Sequence, residues 1–374
     1  MSTKFDVIVI GLGIVGCACA WALSRRGLRV LAVGDAPIGG GATAAGMGHV
    51  AIMDDSEAQF RLTARSAELW MALRDELPPE AAVDYCGTLW IAADEEELNA
   101  ARSKHAFYQK RGVRTEVLDE KSIADAEPNL RPGLAGGLRI IDDSIVYPPV
   151  VCEWMLAEVT RRGGTVRFAH VESATRTRVQ LSDGEVLDAG VVVLAGGDVS
   201  AMVCPWLPVR PRKGHLVITD RYPGFCRHEL VELGYLKNAH SHATESVAFN
   251  LQPRPTGQML LGSSRQYGVE HAEVEARMVA WVTERAKLYM PRIGSLRVVR
   301  AWTGFRAATP DSLPIIGGRD GVDEPVMATG HEGLGLTTSL GTAELITAIL
   351  TGAPTSLDAS AYSASREFGG HGGH

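Results

Sequence analysis

The six cysteines of this sequence, Cys17, Cys19, Cys86, Cys152, Cys204 and Cys226, form no C-x-x-C pair and no metal-ligand spacing. That excludes a cysteine-built metal site and suits a reduced, cytoplasmic chain. Positive charge is short as well. Lys and Arg total 37 against 44 Asp and Glu, a net charge of −7, which argues against nucleic acid as a partner. No basic stretch is long enough to suggest an anionic membrane surface. There is no long linker, internal repeat or heptad array, and no Ser-His-Asp or Cys-His arrangement. What remains is a chain of 374 residues, 45% hydrophobic, enough for two domains or one large interleaved one. The tail Gly369–His374 reads as a flexible end.

The longest uncharged run, Val7 to Leu23, lies within FDVIVIGLGIVGCACAWALS, residues 5–24. Lys4 before it and Ala18-Cys19-Ala20 inside it mimic an export signal. However, Asp6 offsets Lys4, Arg25 and Arg26 lie on the wrong side, and 17 residues is short for a membrane span. A nucleotide-binding reading accounts for more. Phe5 to Ile10 is apolar and β-rich, as a strand buried on both faces should be. Gly11-Leu12-Gly13-Ile14-Val15-Gly16 has the G-x-G-x-x-G spacing, a helix-compatible run follows up to Gly27, and a second strand is expected over Arg29–Val33.

The glycines have distinct tasks. Gly11 permits the tight turn, Gly13 lets backbone approach a pyrophosphate, and Gly16 allows close helix–strand packing. The helix N-terminus offers N–H groups and partial positive charge to phosphates. One position departs from the pattern: the acid that holds the adenosine ribose is replaced by Gly34, with Asp35 one residue later. Asp35 either takes that role from a shifted backbone or is a turn residue before Pro37.

Further along, Ile38–His49 is too glycine-rich for a helix and too apolar for a solvated linker, and fits a loop wrapping a ligand. Helices are expected over 58–76, 94–111, 150–162 and 272–289, and strands over 87–92, 134–141 and 296–303. Residues 165–169 read as a strand, 171–187 as a hairpin turning at Asp183-Gly184, and 191–195 as a buried strand running into Gly196-Gly197. Residues 213–218, 247–251 and 258–262 alternate like antiparallel strands. The fold class is therefore α/β: a Rossmann-like domain, discontinuous over 1–80, 143–208 and 300–374, interleaved with an α+β domain over 81–142 and 209–299 with a mostly antiparallel sheet.

Two later stretches carry chemistry. They are W-T-G-F-R-A-A-T-P-D-S-L-P-I-I-G, residues 302–317, and A-T-G-H-E-G-L-G-L-T-T-S, residues 328–339, which runs into a helix expected over 340–350. With the first βαβ unit and the Gly39–Met47 loop, they resemble the D-amino-acid oxidase family of FAD-dependent amine oxidoreductases. That family includes glycine/sarcosine oxidases and flavin subunits of heteromeric amino-acid and opine dehydrogenases. The text GGGATAAGMGHVAIMDDSEAQF looks most like the β subunits of D-hydroxyproline dehydrogenases.

The resemblance implies non-covalent FAD, because no cysteine follows Cys226 to attach it. It implies cofactor contacts from Gly11, Gly13, Ile14, Val15, Gly16, Asp35, Gly41, Ala42, Thr43, Ala45, Gly46, Met47, Val171, Ala195, Gly196, Gly333, Leu334, Gly335, Leu336 and Thr337. It implies that Arg306 grips the substrate carboxylate. A planar guanidinium fork matches a carboxylate as Lys cannot. A structural pair between Arg306 and Asp311 is the alternative. The proline that usually follows this arginine is Ala307 here, and the second substrate-side arginine of glycine/sarcosine oxidases is Gly333. The Thr43–Met47 loop would line the reactive side, and His49, Lys213, His215, Tyr235, His240 and His331 could face substrate or be packed or surface residues. Thr337, Thr338 and Ser339 are candidate caps of the last helix.

The expected reaction is oxidation of the C–N bond of a small amino or imino acid, with no side-chain base required. Candidate substrates are cis-4-hydroxy-D-proline, D-proline, sarcosine, glycine and opines. Electron-transfer subunits in a hetero-oligomer are the expected partners, with a second flavin (FMN) at a subunit interface and no integral membrane segment. The glycine fingerprint alone also fits a nicotinamide-dependent dehydrogenase. A flavin protein that only relays electrons is the reading from another class.

Overall fold

The computed structural model describes residues 4–234 and 244–368. Tyr235, His240 and the 369–374 tail lie outside the described residues. The chain forms two compact units, Met1–Ala81 with Tyr147–Pro211 and Phe305–His374, and Ala82–Val146 with Arg212–Gly304.

The first unit is built on β1 (Phe5–Ile10), α1 (Ile14–Arg25) and β2 (Val30–Gly34). β1 is the sheet's middle strand. It pairs in parallel with β2 on one side (Val7 to Val30, Ile10 to Val33) and with Val186–Leu194 on the other (Val7 to Val191, Ile10 to Leu194). Thr165–Phe168 continues the sheet beyond β2, and Val326–Thr329 and Ile315–Gly317 continue it beyond Val186–Leu194, the last strand antiparallel. A strand paired on both edges and covered on both faces must be apolar throughout, which is why FDVIVI does not alternate. Its one charge, Asp6, sits at the strand's start, where Arg29 grips both carboxylate oxygens.

α1 is rich in Gly, Ala and Cys because it is enclosed. Cys17, Ala18, Cys19 and Ala20 are all fully buried, between the helices Pro148–Arg161 and Gly335–Thr351. The opening run is thus a strand, turn and helix inside a domain. Among the described residues no helix is long and apolar enough to cross a membrane.

Two local expectations change. The hairpin's return strand and the buried strand are one element, Val186–Leu194, whose first half pairs with Arg178–Leu181 and whose second half joins β1. The glycine-rich stretch after β2 holds one short helix, Ala42–Ala45, entered through Gly41 at φ +59°. Alternating small residues suffice for a single turn.

The second unit carries an eight-stranded, mostly antiparallel sheet, in which Thr88–Ala92 runs parallel to Glu229–Glu232. Arg210–Thr219, Glu245–Pro253 and Met259–Tyr267 are its long strands. Helix Ala276–Tyr289 covers it with Met278, Val282, Ala286 and Tyr289, and the Tyr289 ring stacks on Phe249 at 4.9 Å. The edge strand Val298–Ala308 carries the chain back into the first unit.

Candidate cofactor and active site

The turn after β1 shows a steric need for its glycines. Gly11 has φ +116°, and a Cβ there would lie 2.3 Å from the Ala195 carbonyl oxygen. A Cβ on Gly16 would lie 2.0 Å from the Gly11 oxygen, so the third glycine admits the turn itself as well as close packing on Ala195. Gly13 is different. It has the extended backbone of an N-cap, and its Cβ would meet only the Thr43 hydroxyl, at 3.2 Å.

The start of α1 has no side chain capping it from Gly13. Ile14 donates its N–H to Thr43 Oγ1 at 3.0 Å, and the first intrahelical bond is Cys17 N–H to Gly13 O. The amides of Val15 and Gly16 therefore point out of the helix end without partners among the described residues. Open amides, the helix dipole and a turn that admits no side chain fit a pyrophosphate.

A second helix start faces the same region. The last helix begins at Gly335, five residues earlier than expected, with Leu334 at its N-cap and no side-chain cap. Thr337, Thr338 and Ser339 are not caps, because all three lie inside the helix. Thr338 and Ser339 donate back to the Leu334 and Leu336 carbonyls. Thr337 reaches sideways, accepting from Ala51 N–H and donating to the His49 carbonyl. Trp70 Nε1 donates to the Leu336 carbonyl. Two segments thus fix this helix end, and the amides of Gly335, Leu336 and Thr337 are left as donors for an electron-rich ring edge. A Cβ on Gly335 would lie 3.9 Å from Val15, which puts the two helix starts side by side.

The remaining expected contacts fall at the same end of the sheet. Gly41, Ala42, Thr43, Ala45, Gly46 and Met47 form the short helix and its exit, with Ala42 and Gly46 exposed. Ala195 and Gly196 follow the C-terminal end of Val186–Leu194, and Ala195 N–H is held by the Ile10 carbonyl. Val171 opens the strand after Thr165–Phe168. Asp35 follows β2 directly, exposed, and pairs with His170.

Arg306 lies near the end of Val298–Ala308. Glu332 N–H donates to the Ala307 carbonyl, an isolated antiparallel bridge that sets Gly333 across from Arg306. A Cβ on Gly333 would touch the Arg306 Cδ and Nε at 3.5 Å. Glycine at 333 therefore places no side chain against the Arg306 Cδ and Nε, and Glu332 reaches the bridge through a left-handed φ of +54°.

Asp311 is not the partner of Arg306. Its carboxylate is held by Arg366 through two hydrogen bonds of 2.7 and 3.0 Å, in a site where both side chains are nearly buried. Burial raises the Asp311 pKa, but the Arg366 hydrogen bond and charge outweigh it and hold the carboxyl below its ordinary range. Arg366→Ala leaves that charge buried and unpaired, and is expected to destabilise the fold by about 3 kcal/mol at neutral pH. A depressed carboxylate pKa stabilises above the unfolded value, and that stabilisation is lost as pH falls through the folded one. The gap between native and variant should therefore narrow on acidification. Denaturant titrations at several pH values test this, and a pH-independent gap would refute it.

The histidine candidates divide. His331 is buried, its pKa pushed down to about 3 by burial, and its Nε2 bonds Thr342 Oγ1 at 2.9 Å. That makes it a packing residue of the last helix. The enclosed imidazole of His49 is also pushed down to about 3 by burial. Neither is a competent proton acceptor at neutral pH. Lys213 and His215 belong to the core of the second unit. Lys213 pairs with Glu275 at 3.0 Å, and His215 accepts Glu275 N–H at Nε2 while Nδ1 meets Ser264 Oγ. His170, which was not singled out in the sequence, is brought to Asp35 from the turn that follows Thr165–Phe168.

Comparison with known proteins agrees with this geometry. A family model described as FAD dependent oxidoreductase (DAO) matches residues 6–349. The chain is 26% identical to a glycine oxidase of Geobacillus kaustophilus, with 99% of each chain covered. It is 24% identical to one subunit of the opine oxidase of Agrobacterium tumefaciens, over 89% of this chain and 90% of that one. The crystal structure of the Geobacillus kaustophilus glycine oxidase superposes with a TM-score of 0.87 at 23% identity, covering 98% of this chain and 100% of that one.

Proposed function

The chain belongs to the FAD dependent oxidoreductase (DAO) family, and from that premise we propose that it oxidises the C–N bond of cis-4-hydroxy-D-proline as the flavin subunit of a hetero-oligomeric dehydrogenase. The observation that carries the site assignment is Arg306 set across from a glycine in the loop that leads to an open helix start. Bound FAD supplies a hydride acceptor, the flavin N5. The protein's own residues bind and orient. Gly11 to Gly16 hold the pyrophosphate, and Gly335 to Thr337 hold the ring edge that gains negative charge. Arg306 takes the substrate carboxylate in a two-pronged hydrogen bond, which orients the α-carbon. His49 and His331 stay neutral, so the amine must reach the site already deprotonated or lose its proton to solvent.

Two features support the choice of substrate. The Gly39–Phe60 text resembles D-hydroxyproline dehydrogenase β subunits, and Gly333 gives a ring substituent room that an arginine would fill. A relative that is itself one of the subunits of an opine oxidase supports the hetero-oligomer. The same reading includes an FMN at the subunit interface and a cytoplasmic enzyme, peripheral to the inner membrane through its partners. An anaerobic absorbance titration of the FAD-loaded protein with cis-4-hydroxy-D-proline tests it. Bleaching of the flavin band is the expected result, persisting when air is readmitted. Rapid recovery in air would make the protein an oxidase. Bleaching by sarcosine, glycine or an opine but not by hydroxyproline would overturn the substrate.

A further inference from the structure

The pattern acid that should hold a ribose is missing at Gly34. A Cβ there would lie 3.1 Å from Leu12 Cγ, so a side chain at this position would need the Leu12 side chain to give by a few tenths of an ångström. Asp35 and His170 stand beside it. Gly34 is in register with Phe168, and Ala169 N–H donates to the Gly34 carbonyl, so the chain ends leaving β2 and Thr165–Phe168 run together. There Asp35 and His170 Nδ1 meet at 2.5 Å, with both side chains more than half exposed.

The pairing fixes the chemistry of the imidazole. An ionised carboxylate only accepts, so Nδ1 carries the proton and donates to Asp35. In the neutral ring Nε2 is then an acceptor. The pair thus offers two acceptors of different kinds, a carboxylate oxygen and a ring nitrogen. They lie at the C-terminal end of a parallel sheet, next to a phosphate-binding turn. A ribose diol, with two adjacent hydroxyl donors, matches that set.

We propose that Asp35 and His170 act as one unit that receives the adenosine ribose of FAD, replacing the single acid of the usual pattern. One ribose hydroxyl donates to the Asp35 carboxylate and the other to His170 Nε2. His170 is a binding residue here, and through its N–H it also positions Asp35. The inference rests on the FAD reading and adds to it a residue from a different strand.

The test uses apoprotein stripped of FAD and binding alone as the readout. Native apoprotein is titrated with FAD, and separately with ADP and 2′-deoxy-ADP. His170→Ala is expected to weaken FAD roughly tenfold and to abolish the preference for ADP over 2′-deoxy-ADP. Asp35→Ala should weaken FAD comparably, and the double variant should lose more than either single one but less than their sum, as expected of a coupled pair. His170→Gln, which keeps a side-chain acceptor, should recover part of the preference. Its thermal midpoint, together with that of His170→Ala, shows that the fold is intact. Unchanged FAD affinity and ribose preference in His170→Ala would overturn the proposal, as would losses in the double variant that sum those of the singles. Native apoprotein that binds neither FAD nor ADP would refute the FAD reading itself, before any variant is compared.

Discussion

Arg306→Ala is expected to keep its FAD and lose its substrate. A guanidinium–carboxylate pair shielded from water is worth about 3 kcal/mol when one partner is truncated, roughly two orders of magnitude in KM. Because the arginine grips a group that does not react, binding should suffer first, and kcat should fall only as far as orientation is lost. The flavin spectrum and FAD affinity should match the native protein. Arg306→Lys restores charge but not the planar fork, so it should recover only part of the affinity. Steady-state kinetics with the amino-acid substrate decide the matter, and an unchanged kcat/KM in Arg306→Ala would remove this residue from the site. The alternative, that the arginine is a structural partner of Asp311, has already lost its partner to Arg366.

The glycine turn should separate cofactor binding from folding. Gly16→Ala places a methyl 2.0 Å from the Gly11 oxygen, both on backbone that cannot swing aside. It is expected to lower the stability of the apoprotein by several kcal/mol and to abolish FAD binding. Gly13→Ala meets only a hydroxyl at 3.2 Å and keeps a permitted backbone, so the apoprotein should lose under about 1 kcal/mol. Its methyl nevertheless stands at the helix start where the pyrophosphate must approach, and FAD affinity should drop at least a hundredfold. Thermal melts of the two apoproteins beside FAD titrations give the comparison. Equal stability losses in both variants would mean that the second glycine also serves the fold.

How much of this was legible in the sequence depended on the range of the interaction. FDVIVI and the glycine spacing are local, and strand, turn and helix followed from them. The alternation over 247–251 and 258–262 likewise pointed to strands, which the structure pairs antiparallel. The start of the last helix was missed because Thr337, Thr338 and Ser339 look like caps in sequence. What places them inside the helix is the docking of Thr337 on the His49–Ala51 backbone, which lies 286 residues away in the chain. Helix Glu57–Leu73 was recognised, but the polar residues on its buried face were not. Gln59, Thr63 and Ser66 are buried there, and Ser66 accepts the N–H of Gly341 from the neighbouring helix. Polar residues that face a partner cannot be told from a solvated face by pattern alone. Strands Ile315–Gly317 and Val326–Thr329 are too short to show a period. His170 gave no signal, because a single histidine in a loop acquires meaning only when Asp35 is brought to it from 135 positions away.

The strand order of the first unit has a consequence for the newly made chain. β1 finds β2 within a few dozen residues, but its other edge waits for Ala189 to Leu194. Until some 190 residues have been synthesised, this buried apolar strand presents an unpaired edge, with only one neighbour and no covering from the helix Gly335–Thr351. The intervening segment includes Ala82–Val146 of the second unit, so closing that gap is a long-range step and a slow one. An exposed apolar edge during this interval is a site for self-association. Birth at the ribosome is therefore where this architecture is most open to self-association.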